Sequence, residues 1–160
     1  MTTNVIMAQN KYDKDVSSID AVIEALYGSI SGDPGEKRDW DRFNFLFVEN
    51  AKLQPTSPSA DGGYTLTTFS PQEYIERSGS MLEERGFFET EIHRQTESFG
   101  AITHVWSTYD SRWGSAEAEP FGRGINSIQL LNDGDRWWIV SIFWMNESDD
   151  YPLPDRYLPD

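Results

Sequence analysis

Four strand-like segments joined by short turns occupy residues 87–147, and nearly all helical patterning precedes them. The segments read FFETEIHRQTESF, AITHVWSTYDSR, GINSIQLLND and DRWWIVSIFWMNE. The Asn-Asp-Gly-Asp run at residues 132–135 is typical of a tight hairpin, because these residue types tolerate positive φ. Helices followed by a long antiparallel meander predict an α+β domain, in which the early helices cover one face of a curved sheet.

The helical segments are marked by apolar spacing and by capping residues. Apolar side chains recur every three or four residues over 19–30, which predicts an amphipathic helix with Asp15 or Ser17 as its N-cap. A short second helix is predicted over residues 38–45. Ser70, Pro71 and Glu73 form a capping-box signature for a third helix that ends near residue 85. Strands are predicted at residues 47–53 and 64–69, with a loop over 54–63.

Chain length and composition favour a single domain. With 160 residues and 38% hydrophobic residues, the chain is long enough to bury one core. We assign residues 15–148 to the domain, 1–14 to a flexible N-terminus, and 149–160 to a Pro-rich tail on the surface. The N-terminal residues lack an apolar segment of the secretory type, and no run approaches a membrane span, so a cytoplasmic protein is expected.

The charge and the residue inventory exclude several classes of function. A formal net charge of −14 repels phosphate backbones, and no basic patch offsets it, so nucleic-acid binding is not expected. The chain contains no cysteine, which excludes thiol catalysis, disulfides and zinc–thiolate sites. No metal-ligand spacing or cofactor motif is present, so we predict no metal and no cofactor.

Three local patterns carry a family resemblance. The first helix ends at Gly32-Asp33 and is followed by an aromatic run at residues 43–48 that enters a strand. The Ser70-Pro71 helix start lies between a short strand and a long one. The last two strands read RGINSIQL at 123–130 and DRWWIVSIFW at 135–144. With these patterns, residues 16–147 resemble the NTF2-like superfamily, which includes ketosteroid isomerase and the SnoaL-like polyketide cyclases, and look most like its uncharacterised bacterial members.

The resemblance implies a cone-shaped fold and the places where an isomerase would keep its catalytic groups. The carboxylate base of ketosteroid isomerase precedes a proline on the first strand, where this chain has Gln54. An amide cannot take a proton from carbon, so steroid isomerisation is not expected. The acid of the oxyanion hole would lie near Ser127, and the family's tyrosine is offset by about two residues from Tyr27. Tyr27 and Ser127 are kept as candidate ligand-binding residues.

Two histidines supply further candidates, because the resemblance to SnoaL-like cyclases implies acid–base residues in a cavity. If residues 99–100 form a two-residue turn, residues whose numbers sum to 199 face each other. The opposite pairs are then Gln95 with His104, His93 with Trp106, and Glu91 with Thr108. All six share one face. We predict an acid–base or ligand-binding patch there, since histidine titrates near neutrality. The alternative is a solvated or dimer-facing surface.

Two more side chains are predicted to contact a ligand. Arg123 precedes a strand and could bind an acidic group, although a salt bridge with a nearby acid is the alternative. Trp144 is a candidate for the wall of a pocket. The alternative is that it fills the hydrophobic core. The predicted function is therefore the binding of a small molecule. If the protein is also an enzyme, we expect a SnoaL-like reaction on an apolar organic substrate. The alternative is a non-catalytic dimerisation or interaction module. In either case, a homodimer through the sheet is expected.

Overall fold

Three helices pack on one face of a six-stranded sheet. The computed structural model describes residues 10–160. Its helices are α1 (Ile19–Ile30), α2 (Trp40–Phe45) and α3 (Pro71–Arg85). Its strands are β1 (Phe47–Pro58), β2 (Tyr64–Leu66), β3 (Phe87–Phe99), β4 (Ile102–Trp113), β5 (Gly122–Asn132) and β6 (Trp137–Asn146). Short 3₁₀ helices span Asp13–Val16 and Asp155–Tyr157. The predicted α+β class is confirmed.

The sheet has the strand order β2-β1-β6-β5-β4-β3. Strands β3 to β6 form the predicted antiparallel meander. The last strand then pairs with β1 in the parallel direction, so β6 lies inside the sheet and not at its edge. The concave face of this sheet carries the core together with the apolar side of α1.

Local sequence signals explain the helix starts. Ser18 caps α1 by accepting a hydrogen bond from the Ala21 amide at 3.1 Å, so the predicted cap at Asp15 or Ser17 is wrong. Asp15 instead lies in the preceding 3₁₀ helix and pairs with Arg42 at 2.7 Å. The capping box of α3 is confirmed, because Ser70 and Glu73 each bond the other's backbone N–H.

Three predicted boundaries move, since α2 begins at Trp40, β1 ends at Pro58 and β2 ends at Leu66. β1 continues to Pro58 because Thr56–Pro58 pair with β2, so the predicted loop at 54–63 is shorter than expected. Residues 1–9 of the predicted N-terminal segment lie outside the described residues. Within the rest of that segment, Tyr12 is buried and its hydroxyl donates to Asp39 at 2.6 Å. Among residues 10–160, no helix is both long and apolar enough to cross a membrane.

The register of the first long hairpin differs from the predicted one. The turn lies at residues 100–101, because Phe99 pairs with Ile102, and a bulge follows between Glu91 and His93. The observed pairs are Gln95 with Trp106, Glu97 with His104, His93 with Thr108, and Glu91 with Tyr109. The extra residue at Ile92 reverses the side-chain alternation, as a β-bulge does. The predicted Glu91–His93 patch is therefore split between the two faces of the sheet.

Candidate functional site

A cavity of about 210 Å³ lies between the concave face of the sheet and the helices. Its wall is mostly apolar and aromatic. The aromatic members are Phe43, Tyr74, Phe87, Tyr109, Phe121 and Trp144. The polar members are Glu89, Ser111, Asn126 and Asn146. Phe121 is 54% exposed and lies on the connection into β5, so it marks the mouth of the cavity.

Glu89 is the acidic residue of this wall. The Ser111 hydroxyl donates to its Oε2 atom at 2.9 Å. Burial raises the pKa of Glu89 to about 7, because removal from water penalises the charged carboxylate more than the neutral acid. Nearby Asp110 acts in the same direction, while hydrogen bonds from Ser111 and Asn126 offset part of the rise in pKa. The cavity thus contains a carboxyl group that exchanges protons close to neutral pH.

Strand alternation places Glu89 in the cavity. Phe87 is buried in the core, and residues two apart on a strand face the same way, so Glu89 follows it onto the concave face. Its cross-strand partner is Ser111, which supplies the hydrogen bond. Burial also raises the pKa of the adjacent Tyr109 hydroxyl, which donates to Asn146 Oδ1 at 2.5 Å.

A chain of hydrogen bonds leads from the cavity wall toward α1. Asn126 Nδ2 donates to the Tyr27 hydroxyl at 3.0 Å, and Tyr27 lies 2.7 Å from the Ser107 hydroxyl. Ser107 in turn donates to Glu91, whose carboxylate pairs with Arg94 at 2.7 Å. Burial raises the pKa of Tyr27, so it remains a neutral hydroxyl. Tyr27 is therefore a buried link in this hydrogen-bond network. It does not line the cavity, but it lines a second depression between α1 and β3.

A second, more open depression of about 450 Å³ lies between α1 and β3. Glu89 lines it from one side and the cavity from the other. Asp20, Glu24 and Glu91 add three more carboxyl groups, and Arg94 is the cation among its lining residues. Arg94 is already paired with Asp20 and Glu91. This acidic groove therefore leaves an excess of negative charge beside Glu89.

The two histidines lie on the opposite, outer face of the sheet. His104 Nε2 is 3.0 Å from the Ser127 hydroxyl, and its ring meets Trp106 edge to face. The C-terminal residues cover part of this face, because Tyr157 packs on Trp106 with ring centroids 6.0 Å apart. The buried atoms His93 Nε2, Trp106 Nε1 and Thr108 Oγ1 have no hydrogen-bond partner within the described part of the chain.

The remaining sequence candidates divide between the two faces. Trp144 contributes to the cavity wall, and together with Trp106 and Ser127 it also lines a groove of about 530 Å³ between β6 and the C-terminal residues. The Arg123 guanidinium donates to the Glu147 carboxylate at 2.9 Å. Arg123 therefore forms the salt bridge that was the alternative to ligand binding. Gln54 pairs with Phe143 on the outer side and bonds Thr68 at 3.2 Å, so the residue at the isomerase base position does not reach the cavity.

Sequence reasoning missed the groups that give the cavity its chemistry. Glu89, Ser111 and Asn126 were not singled out, because each belongs to a strand with a mixed polar and apolar pattern. The available signal was the alternation of Glu89 with Phe87, an acidic residue at an inward position. Among residues 10–160, no three His, Cys, Asp or Glu side chains are grouped in a way that could hold a metal ion.

A curved sheet, three helices on its concave side and a cavity between them define a cone-shaped α+β fold. Solved structures with this shape include an NTF2-like protein of unknown function from Pseudomonas putida, at 10% identity and a TM-score of 0.60 over 86% of this chain and 92% of that one. Another, from Streptomyces avermitilis, is assigned as a dehydratase of the NTF2-like family, at 13% identity and a TM-score of 0.58 over 82% and 95%.

A third similar structure is assigned as the beta subunit of an aromatic-ring-hydroxylating dioxygenase from Novosphingobium aromaticivorans. It shares 12% identity, with a TM-score of 0.62 over 81% of this chain and 87% of that one. The sequence matches no protein-family model, and no curated protein matches it. The chain has an NTF2-like fold, as its sequence patterns predict.

Proposed function

We propose that this protein binds a small, mainly apolar organic molecule in the cavity and that Glu89 exchanges a proton with it. The observation that carries the proposal is a single carboxyl group with a pKa of about 7 in an aromatic-lined cavity. General acid–base catalysis is most effective when the pKa of the group lies near the working pH. Proton transfer by a carboxyl is also what the resemblance to SnoaL-like cyclases implies.

The cavity volume limits the size of the molecule. An apolar cavity of about 150 Å³ is sufficient to hold benzene. At about 210 Å³, this cavity suits one substituted ring. Polar groups line only part of the wall, so a ring with one polar substituent matches it best.

Binding is tested with benzyl alcohol as the probe, followed by amide chemical shifts. We expect shifts at cavity residues such as Asn126 and Ile142, and none at Phe143 on the outer face. Shifts confined to the outer face, or no binding at all, would contradict the assignment of the cavity. The variant Gly122→Trp is designed to block the mouth of the cavity and should not bind the probe. Gly122 lines the cavity, and no atom lies within 4 Å of the position of an added Cβ.

Catalysis is tested by the exchange of the methyl protons of acetophenone for deuterium in heavy water. Glu89 would remove one proton from the carbon next to the carbonyl, and a deuteron from solvent would then replace it. We expect the parent protein to exchange these protons faster than Glu89→Gln does. The glutamine keeps the shape of the side chain but cannot accept the proton. Equal rates for the two proteins would leave a binding protein without this activity.

The second candidate function is dimerisation through the outer face of the sheet. Phe143 is 45% exposed there, next to the groove between β6 and the C-terminal residues. With the apolar residues Ile125, Met145 and Leu153 of that groove it forms a contiguous apolar surface, and such surfaces mark contact sites. Light scattering should then give about twice 18.3 kDa, and Phe143→Glu should give a monomer. Phe99→Glu, at the exposed tip of the β3–β4 hairpin, is the matched control and should leave the mass unchanged. A monomer for the parent protein would contradict this candidate.

A further inference from the structure

The cavity combines six aromatic rings with one carboxyl group. Among the described residues, no Lys, Arg or His side chain lines it. Aromatic faces carry negative potential and attract cations, most strongly where water is excluded. A buried carboxylate in such surroundings lacks a positive partner, and a charged group buried alone is costly. The wall is therefore complementary to positive charge.

From this composition, we infer that the ligand is a small organic cation, a protonated amine attached to one apolar ring or to a short apolar chain. The inference rests on the proposed ligand-binding function and names the chemical class of the ligand. The ammonium group would pair with Glu89, and the apolar body would lie among the aromatic rings. This pairing keeps Glu89 in its carboxylate form, which is the proton-accepting form.

The acidic groove between α1 and β3 also favours a positively charged ligand. It meets the cavity at Glu89, and it contains four carboxyl groups against one guanidinium that is already paired. With a formal net charge of −14 for the chain, the surrounding field attracts cations and repels anions. A carboxylate ligand would have to enter against this field and would then find no cationic side chain among the described residues of the cavity wall.

Three probes with the same ring separate charge from shape. They are benzylammonium, benzyl alcohol and benzoate, titrated by calorimetry at about pH 8, where Glu89 is mostly ionised. Benzylammonium is expected to bind about tenfold more tightly than benzyl alcohol, which corresponds to about 1.4 kcal/mol. Benzoate is expected to bind about tenfold more weakly than benzyl alcohol. In Glu89→Gln, the preference for benzylammonium should fall to within about threefold.

Glu24→Gln is the matched control, because it removes one carboxylate from the exposed side of the groove without touching the cavity wall. It should keep the preference for benzylammonium. Circular dichroism verifies that both variants are folded. Equal or weaker binding of benzylammonium than of benzyl alcohol in the parent protein would overturn the cation assignment and leave the proposed function intact. Failure of all three probes to bind would overturn both.

The pH dependence of the parent protein gives a second readout that needs no variant. Below about pH 7, a bound ammonium must displace the Glu89 proton, so its affinity should fall by up to about tenfold per pH unit, while that of benzyl alcohol changes little. Several neighbouring elements place ionisable groups around Glu89: Asp20, Glu24 and Tyr27 of α1, Tyr74 of α3, Glu91 and Arg94 of β3, and Tyr109 and Asp110 of β4. Parallel pH profiles for the two probes would contradict the pairing with Glu89.

Discussion

Glu89 shows how one side chain's surroundings decide what it can do. Its carboxyl has the same chemistry as that of the exposed Glu97 on the same strand, but it lies against aromatic rings and one hydroxyl donor. Burial raises its pKa from 4.5 to about 7, so its charge changes within the physiological range. At the scale of a residue, the protonation state of this acid therefore depends on which side of β3 it occupies.

This shift in pKa predicts a pH-dependent stability. Between about pH 4.5 and 7, the folded protein holds the Glu89 proton more strongly than the unfolded chain does, so the free energy of unfolding falls as the pH rises. The full effect is up to about 3 kcal/mol, because each pKa unit is worth about 1.4 kcal/mol. Urea titrations of the parent protein and of Glu89→Gln at several pH values measure it.

In Glu89→Gln, the fall in the free energy of unfolding between about pH 4.5 and 7 that is due to Glu89 should be absent. Above about pH 7, this variant should be more stable than the parent protein. Glu97→Gln is the control, because Glu97 is exposed and does not line the cavity. Its pH profile should follow that of the parent protein. Identical profiles for Glu89→Gln and the parent would show that Glu89 titrates as an ordinary surface carboxyl.

At the scale of elements, periodicity and turn chemistry are sufficient to predict most of the fold. The apolar spacing of α1, the capping box of α3 and the four long strands all have local signals in the sequence, and all are present. The register of β3 against β4 has no comparable signal. Moving the turn to residues 100–101 changes every pair, and the bulge at Ile92 then moves Glu91 to the other face.

The candidate site was harder to predict than the fold because it depends on that register. The predicted patch joined Glu91 to two histidines, whereas the cavity uses Glu89, which lies two residues earlier on β3. Trp144, a candidate from the sequence, lies in the cavity wall. It is half-buried and lies two residues after the buried Ile142, which is a local pattern. The meeting of Glu89, Ser111 and Asn126 depends instead on the pairing of three strands.

The capping box of α3 allows a prediction at this scale. Ser70→Ala removes the side-chain acceptor for the Glu73 amide, so the free energy of unfolding should fall by about 1 kcal/mol. Ser80→Ala is the matched control, since Ser80 lies on the exposed side of the same helix and alanine is a better helix former. Thermal unfolding of both variants measures the difference. Equal midpoints for the two variants would show that the box does not stabilise α3.

The whole molecule carries more negative charge than its ion pairs neutralise. The chain has 27 acidic and 13 basic residues, and its net charge of −14 opposes the compact state. Moderate salt screens repulsion between exposed charges over about 10 Å. The melting temperature should therefore rise as sodium chloride increases from about 0.01 M to 0.15 M. A falling melting temperature would mean that specific ion pairs, such as that of Arg42 with Asp15, outweigh the repulsion.

The parallel pairing of β1 with β6 has a consequence for the order in which the chain folds. β6 begins at Trp137 and ends at Asn146, yet it forms the middle of the sheet by joining β1 to β5. During synthesis, β1 and the β3–β5 meander therefore cannot join into one sheet before residues 137–146 have left the ribosome. Contacts so distant in sequence form slowly, and the unpaired edges of β1 and β5 are exposed to aggregation in that interval.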